Sequence, residues 1–282
     1  FNTGWPLKGN KFYDTGIATS NTSVSIINVQ IGTGYDISDN VIGGSASDNS
    51  GTWTKSSNNS PAFIGINLAS ATTGGTASSI KNNVIKNFSW TNSSGGTWTG
   101  ILVGSASAAT IDGNSIGDNT TTGSITTSNG DAGGVVTGIN ISSTSAVYCK
   151  NNRIGSITAN SSGFVVAINA INRGTQAANT TITGNIIGSS TATNSIYSST
   201  NIASQNVKGI LCTGTGTNTI SNNEIGSLTT GSTSGVVNAI DLGAGTNTVN
   251  ANLIYNLSSP NSTSTALNGI NLPASGTNTC SN

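Results

Sequence analysis

Histidine and methionine are absent from the 282 residues, and charge is nearly so: nine Lys and Arg stand against nine Asp and Glu, 6% of the chain, for a formal net charge of +0. Without histidine, and with no two of the three cysteines at ligand spacing, a structural or catalytic metal site lacks its usual nitrogen and sulfur ligands. Without an excess of basic residues there is no electrostatic case for nucleic acid or an anionic membrane surface as partner. No apolar run is long enough to read as a membrane span or a signal peptide. No cofactor is expected. A disordered chain usually combines high net charge with few β-branched residues. Here charge is low while Ile, Val and Thr are abundant and Gly, Ser, Thr and Asn fill the polar positions, which favours β structure.

What the chain does have is a repeated phrase: an apolar residue, two spacers, Asn, one spacer, Ile. It reads Ile37-Ser38-Asp39-Asn40-Val41-Ile42 and Ile80-Lys81-Asn82-Asn83-Val84-Ile85, and returns at 111–116, 149–154, 182–187, 220–225 and 249–254. Its asparagines are Asn40, Asn83, Asn114, Asn152, Asn185, Asn223 and Asn252, separated by 43, 31, 38, 33, 38 and 29 positions. A fixed phrase recurring at a period of about 35 residues means stacked structural repeats. The chain opens on Phe1 and stops at Asn282 inside an eighth phrase, so both ends read as cut from a longer protein.

A second phrase, a small residue followed by Ile, begins at Gly65, Gly100, Gly138, Ala167, Gly209, Ala239 and Gly269. From it to the next Asn phrase takes 15, 11, 11, 15, 11, 10 and 11 steps. The return arc takes 25, 17, 24, 15, 24, 16 and 17 steps. Near-constant arcs predict stacked strands, and variable ones predict loops. The long arcs are residues 45–64, 118–137 and 189–208. Two places before each small residue stand Phe63, Trp98, Val136, Val165, Val207, Val237 and Leu267, an apolar column that must face inward if side chains alternate. The small residue breaks the alternation and marks a bend.

These patterns predict an all-β fold, a parallel β-helix of about eight coils over residues 26–282. Residues 1–25 fit the repeat poorly and read as a cap or a linker to a preceding domain. The phrase Asn shares parity with the inward Ile two places on, which makes it a candidate for an internal ladder of amides bonded rung to rung. The alternative is an exposed turn Asn, chosen for its tolerance of unusual backbone angles.

Segments such as Gly216-Thr217-Asn218-Thr219-Ile220-Ser221-Asn222-Asn223-Glu224-Ile225 resemble the right-handed parallel β-helix repeats of large secreted proteins of Bacteroidota, and the resemblance covers about residues 26–282. It implies a right-handed coil and a shaft within a surface adhesin, gliding-motility adhesins included, exported by the type IX secretion system. The partners it implies are further repeats of the same parent chain, a surface polysaccharide and the secretion machinery. The place it implies is the cell surface or outside the cell. No sorting domain of that system is visible in the chain. β-Helix proteins also include pectin-degrading enzymes, and fold alone does not choose between these roles.

Candidate chemistry is thin. Cys149 and Cys280 share a column four rungs apart, about 19 Å at the usual strand spacing, too far for a disulfide. With Cys212 they read as small core residues. The acids are Asp14, Asp36, Asp39, Asp48, Asp112, Asp118, Asp131, Glu224 and Asp241, whereas a glycosidase needs two carboxylates converging on one bond. Asp36, Asp39 and Asp112 fall on different columns and non-adjacent rungs. Asp36 with Asp39 is a weak cation candidate, and Lys81, Asp112 and Lys150 form an outward charge column. Trp98 belongs to the inward column, whereas Trp53 and Trp90 lie in arcs, as ligand contacts or as anchors of loops. Thr217-Asn218-Thr219, Thr246-Asn247-Thr248 and Thr277-Asn278-Thr279 form a short array like an ice-binding face. The leading expectation is a non-catalytic structural or adhesive shaft. A polysaccharide-binding or polysaccharide-degrading protein and an ice-binding protein are the alternatives.

Overall fold

Short runs of alternating apolar and polar residues, interrupted every few positions by Asn, Gly or Ser, dictate brief strands joined by sharp corners. The computed structural model describes residues 3–281 apart from 20, 71, 73, 131–132, 162–165, 177, 202–203, 263–265 and 274. Phe1, Asp131, Val165 and Asn282 lie outside the described residues. The described residues contain strands and no helix, so none is long and apolar enough to cross a membrane as a helix.

The chain is a parallel β-helix. Sheet A has nine strands, from Pro6–Lys8 to Thr277–Ser281, and sheet C has eight, from Val24–Val29 to Leu267–Asn271. Sheet B has fourteen, thirteen of them on one path and the last, Leu253–Ser258, off it beside Glu224–Thr230. It has two limbs: one runs through Val41–Ile42 and Val84–Ile85, the other through Trp53–Ser57 and Phe88–Asn92. Glu224–Thr230 pairs with both limbs and joins them. A typical rung is Ala109–Asp112 in sheet A, Ser115–Gly117 and Ile125–Asn129 in the limbs of B, and Gly134–Ile141 in C. Eight rungs are laid down this way, and Thr277–Ser281 opens a ninth.

Three sequence expectations need correction. Residues 1–25 do not stand apart from the stack: Pro6–Lys8, Lys11–Phe12 and Ile17–Thr19 pair with Asp36–Ser38, Val41–Ile42 and Trp53–Ser57 as the first rung. The phrase is present there as Leu7, Asn10 and Phe12, with Phe in the place of the otherwise constant Ile. The arcs are not plain loops, because each long one carries a strand: Trp53–Ser57, Ile125–Asn129 or Ile196–Ser198. And the bend of the fifth rung falls at Ala170, not Ala167. Ile171 aligns with Ile139 and Ile210, and Ile168 with Val136 and Val207. Ala167-Ile168-Asn169 and Ala170-Ile171-Asn172 fit the phrase equally well, so only pairing separates them.

The core is a set of columns. Ile42, Ile85, Ile116, Ile154, Ile187 and Ile225 are fully buried, each contributing about 1.5–3 kcal/mol by leaving water. Cys149 and Cys212 are buried as read, but Cys280 is exposed, because no further rung covers it. Near the start the columns turn aromatic. Phe63 lies 4.8 Å from Phe88, 5.0 Å from Trp90 and 5.4 Å from Trp98, ring centre to ring centre.

The phrase asparagines form a buried ladder. Asn40 donates from its backbone N–H (3.1 Å) and from Nδ2 (2.9 Å) to Oδ1 of Asn83. Asn83 does the same to Asn114, Asn114 to Asn152, Asn152 to Asn185, Asn185 to Asn223 and Asn223 to Asn252. Each Nδ2 spends its second hydrogen on a carbonyl of the preceding rung, as from Asn83 to Ile37 O at 2.9 Å. The ladder begins one rung earlier than the sequence suggested, with Asn10 donating to Asn40 Oδ1 at 3.0 Å. Buried amides are thereby satisfied without water.

Candidate functional surfaces

The two tryptophans singled out in the sequence sit in sheet B, not in free loops. Trp90 is 1% exposed, which removes it as a surface contact: in Phe88–Asn92 it takes the inward parity, with Ser89 and Thr91 outward. Trp53 is half-buried and stacks on Phe88 at 5.5 Å, so its ring anchors the start of its strand against the core. Lys55, one rung from Trp90 in the same inward column, is 2% exposed. Its Nζ lies 4.4 Å over the Trp90 ring and donates to Thr22 O at 2.8 Å. Burial lowers its pKa. Arg173 is likewise buried, in the column of Ile141 and Cys212. Its guanidinium donates to the carbonyls of Gly174, Gln176 and Ala178 and holds that corner. The sequence reading named neither cation, since nothing local marks a Lys or Arg as inward except its parity.

Among the described acids, three are paired with lysines: Asp36, Asp112 and Asp241. Asp36 contacts Lys8 at 2.5 Å and Lys81 at 3.7 Å, and the Lys8 hydrogen bond holds its carboxyl below the usual value. Asp39 lies in a left-handed turn and accepts from Asn82 Nδ2. Asp112 pairs with Lys150 at 3.2 Å, the expected charge column. Asp241 meets Lys208 at 2.6 Å and Asn271 Nδ2 at 2.7 Å. Burial alone would raise the Asp241 pKa, but these donors outweigh it and the net shift is downward. Among the described residues no three His, Cys, Asp or Glu side chains come together as a metal would need.

One corner carries a ridge. The limbs of sheet B are joined by loops in alternate rungs, residues 43–52, 118–124 and 188–195, and by tight turns in the rungs between. Each loop begins at a glycine with positive φ, Gly43, Gly117 or Gly188. A Cβ there would lie 1.8, 1.8 or 1.7 Å from the carbonyl of Lys86, Gly155 or Gly226 in the next rung. The loops reach across the loop-free rungs. Asn87 Nδ2 donates to Asn49 O at 2.6 Å, and Ser189 Oγ reaches Asn119 O two rungs away at 2.5 Å. Where the ridge ends, a shallow pocket of about 340 Å³ is lined by Thr193, Asn194, Ser227, Thr229, Asn256 and Leu257.

Each strand of sheet C breaks its alternation at one small residue. The bend column Gly65, Gly100, Gly138, Ala170 and Gly209 turns each strand, and a Cβ on Gly100 would sit 2.7 Å from Gly138 O. Thr99, Thr137 and Asn169 are buried beside it. Across the bend the column reads Asn67, Leu102, Asn140, Asn172 and Leu211, with Asn172 Nδ2 donating to Asn140 Oδ1 at 3.2 Å. The Thr-Asn-Thr triplets lie in sheet A in register. Their central asparagines face inward as a second ladder, Asn218 to Asn247 to Asn278, at 2.8 and 2.9 Å. No family model, curated protein or solved structure matches this chain.

Proposed function

We propose that this chain is a non-catalytic shaft segment of a long extracellular or cell-surface protein, serving adhesion or forming a filament stalk. The carrying observation is the amide ladder, unbroken from Asn10 to Asn252 through every rung. Such a ladder gives a rod of fixed pitch, and Asp36, Asp112 and Asp241 are each tied to a lysine rather than to a second carboxylate. Further rungs of the parent chain are the natural partner of the last rung, where Leu253, Leu267, Ile270 and Leu272 are exposed beside unpaired strand edges. The likeness of the repeats to Bacteroidota adhesins extends the reading to type IX export and to a polysaccharide surface as target.

A second reading, a polysaccharide-binding or polysaccharide-degrading protein, is favoured by the outer asparagines of sheet C, Asn67, Asn140 and Asn172. The two separate experimentally. Incubated with acidic polysaccharide and calcium, the chain should release no unsaturated or reducing ends. Turnover abolished by Asp36→Ala or Asp39→Ala would overturn the shaft reading. Placed between two globular domains, the segment should appear by electron microscopy as a rod of about 35–40 Å, the length of eight rungs.

A further inference from the structure

The second limb of sheet B has an outer face unlike the others. Strand pairing lines up Thr54, Ser89, Thr126, Thr158, Tyr197, Thr229 and Ser258 in one outward column. All seven end in a hydroxyl, and the exposed Ile17 precedes them in the first rung. Two residues further along each strand, Thr19, Ser56, Thr91, Ser128 and Asn160 make a second column. Neither column holds a charge. Sheet A, by contrast, carries Lys8, Asp36, Lys81, Asp112 and Lys150 on its outer side, and sheet C carries Lys208 and Asp241. Thr126 donates its hydroxyl to Gly123 O at 3.3 Å, but the face as a whole turns its hydroxyls to solvent.

The spacing of this array is fixed by the backbone. Hydroxyls repeat at about 4.8 Å along the shaft and about 6.7 Å along a strand, on strands hydrogen-bonded on both sides. In a tetrahedral water network with O···O near 2.75 Å, second neighbours lie about 4.5 Å apart and puckered layers repeat at about 7.3 Å. Both spacings fall within about a tenth of those of the array. A single sugar chain would use one row of contacts, and a charged polymer would find no counter-charge here. An extended uncharged grid at water-network spacing suits an extended water lattice. We propose that this face adsorbs to the surface of ice. Sheet A also aligns seven hydroxyl residues, Ser79, Thr110, Tyr148, Thr181, Thr219, Thr248 and Thr279, but the column two places further on carries Lys81, Asp112 and Lys150, and Thr183 and Ser221 bond each other at 3.0 Å. The proposal does not rest on the shaft reading.

The test uses the whole chain. Wild type should slow ice recrystallisation and produce thermal hysteresis, and a fluorescently labelled sample should coat an ice hemisphere. Thr126→Lys should abolish this or raise the required concentration severalfold. Thr91→Lys, at an exposed position, should do the same and serves if the first variant fails to fold by circular dichroism. Thr219→Tyr, on sheet A, should leave it intact. An inert wild type overturns the proposal, as does unchanged activity in folded Thr126→Lys and Thr91→Lys, or loss in Thr219→Tyr equal to theirs.

Discussion

A ladder amide does more than its own hydrogen bonds suggest, because each Asn closes contacts for two rungs. Asn114 accepts from Asn83 N–H and Nδ2, and its own Nδ2 serves Ile80 O and Asn152 Oδ1. Asn114→Ala strips partners from all of these in a dry interior, where each unmet group costs about 1–3 kcal/mol. With partial relaxation the expected loss is about 3–5 kcal/mol, read as a drop in denaturant midpoint. Asn252→Ala, at a part-buried position in the eighth rung, should cost about half as much. The thiols make a second residue-scale prediction. Burial pushes Cys212 from 9.0 up to about 12, so between those values the folded state holds a proton that the unfolded chain releases. Stability from this group is complete below pH 9.0 and declines as pH rises towards 12. A pH series of unfolding midpoints should show that decline flattened in Cys212→Val. Under native conditions a thiol reagent should titrate the exposed Cys280 alone, with Cys149 and Cys212 reacting only on unfolding.

At the scale of the element, glycines decide where one rung touches the next. Gly188 combines φ +84 with a position where a Cβ would lie 1.7 Å from Gly226 O, whereas Gly74, at φ +74, has open space around it. Gly74→Ala should cost only the left-handed penalty, about 1–2 kcal/mol. Gly188→Ala must also move the neighbouring backbone and should cost about 3 kcal/mol or more, both measured by thermal or denaturant unfolding. The coil was legible in the sequence because its determinants are local. Asn at a corner and Ile two residues on recur whatever the loop length, and alternation assigns their side. What escaped was whatever only pairing defines. Ala167 and Ala170 offer the same local phrase, and the ladder with sheet C chooses between them. Trp90 reads as an arc residue until its strand is seen to alternate. The strands of the second limb are runs of Ser and Thr around single apolar residues, such as Ile125-Thr126-Thr127-Ser128-Asn129, too polar to look like strands by composition. That same polarity makes their outer face an array, and the sequence reading looked for the array in sheet A instead.

For the whole molecule, the natural unit is two rungs. Loop-bearing and loop-free rungs alternate through the first six phrases, and each loop glycine packs on the turn of the following loop-free rung. Asn114 and Asn185 lie 71 positions apart and occupy equivalent places, each one residue after a left-handed glycine, Gly113 at φ +67 and Gly184 at φ +65. Deleting residues 115–185 joins Asn114 to Ile186. It keeps a loop on that rung and lets Asn114 donate to Asn223 as Asn185 does now. Deleting residues 115–152 instead joins Asn114 to Arg153 and leaves two loop-free rungs side by side, with the turn at Gly155 stripped of Gly117. The one-rung deletion removes less chain and less core, so a simple count of rungs makes it the milder change, since solenoid stability is close to a sum over neighbours. Alternation predicts the reverse: the two-rung deletion should retain the higher denaturant midpoint per remaining rung. Small-angle scattering should find the rod shortened by about 10 Å in one case and about 5 Å in the other. Equal midpoints per rung would mean that the loops decorate the shaft without bracing it. A lower midpoint in the one-rung variant would show that the ridge is part of what holds successive rungs in register.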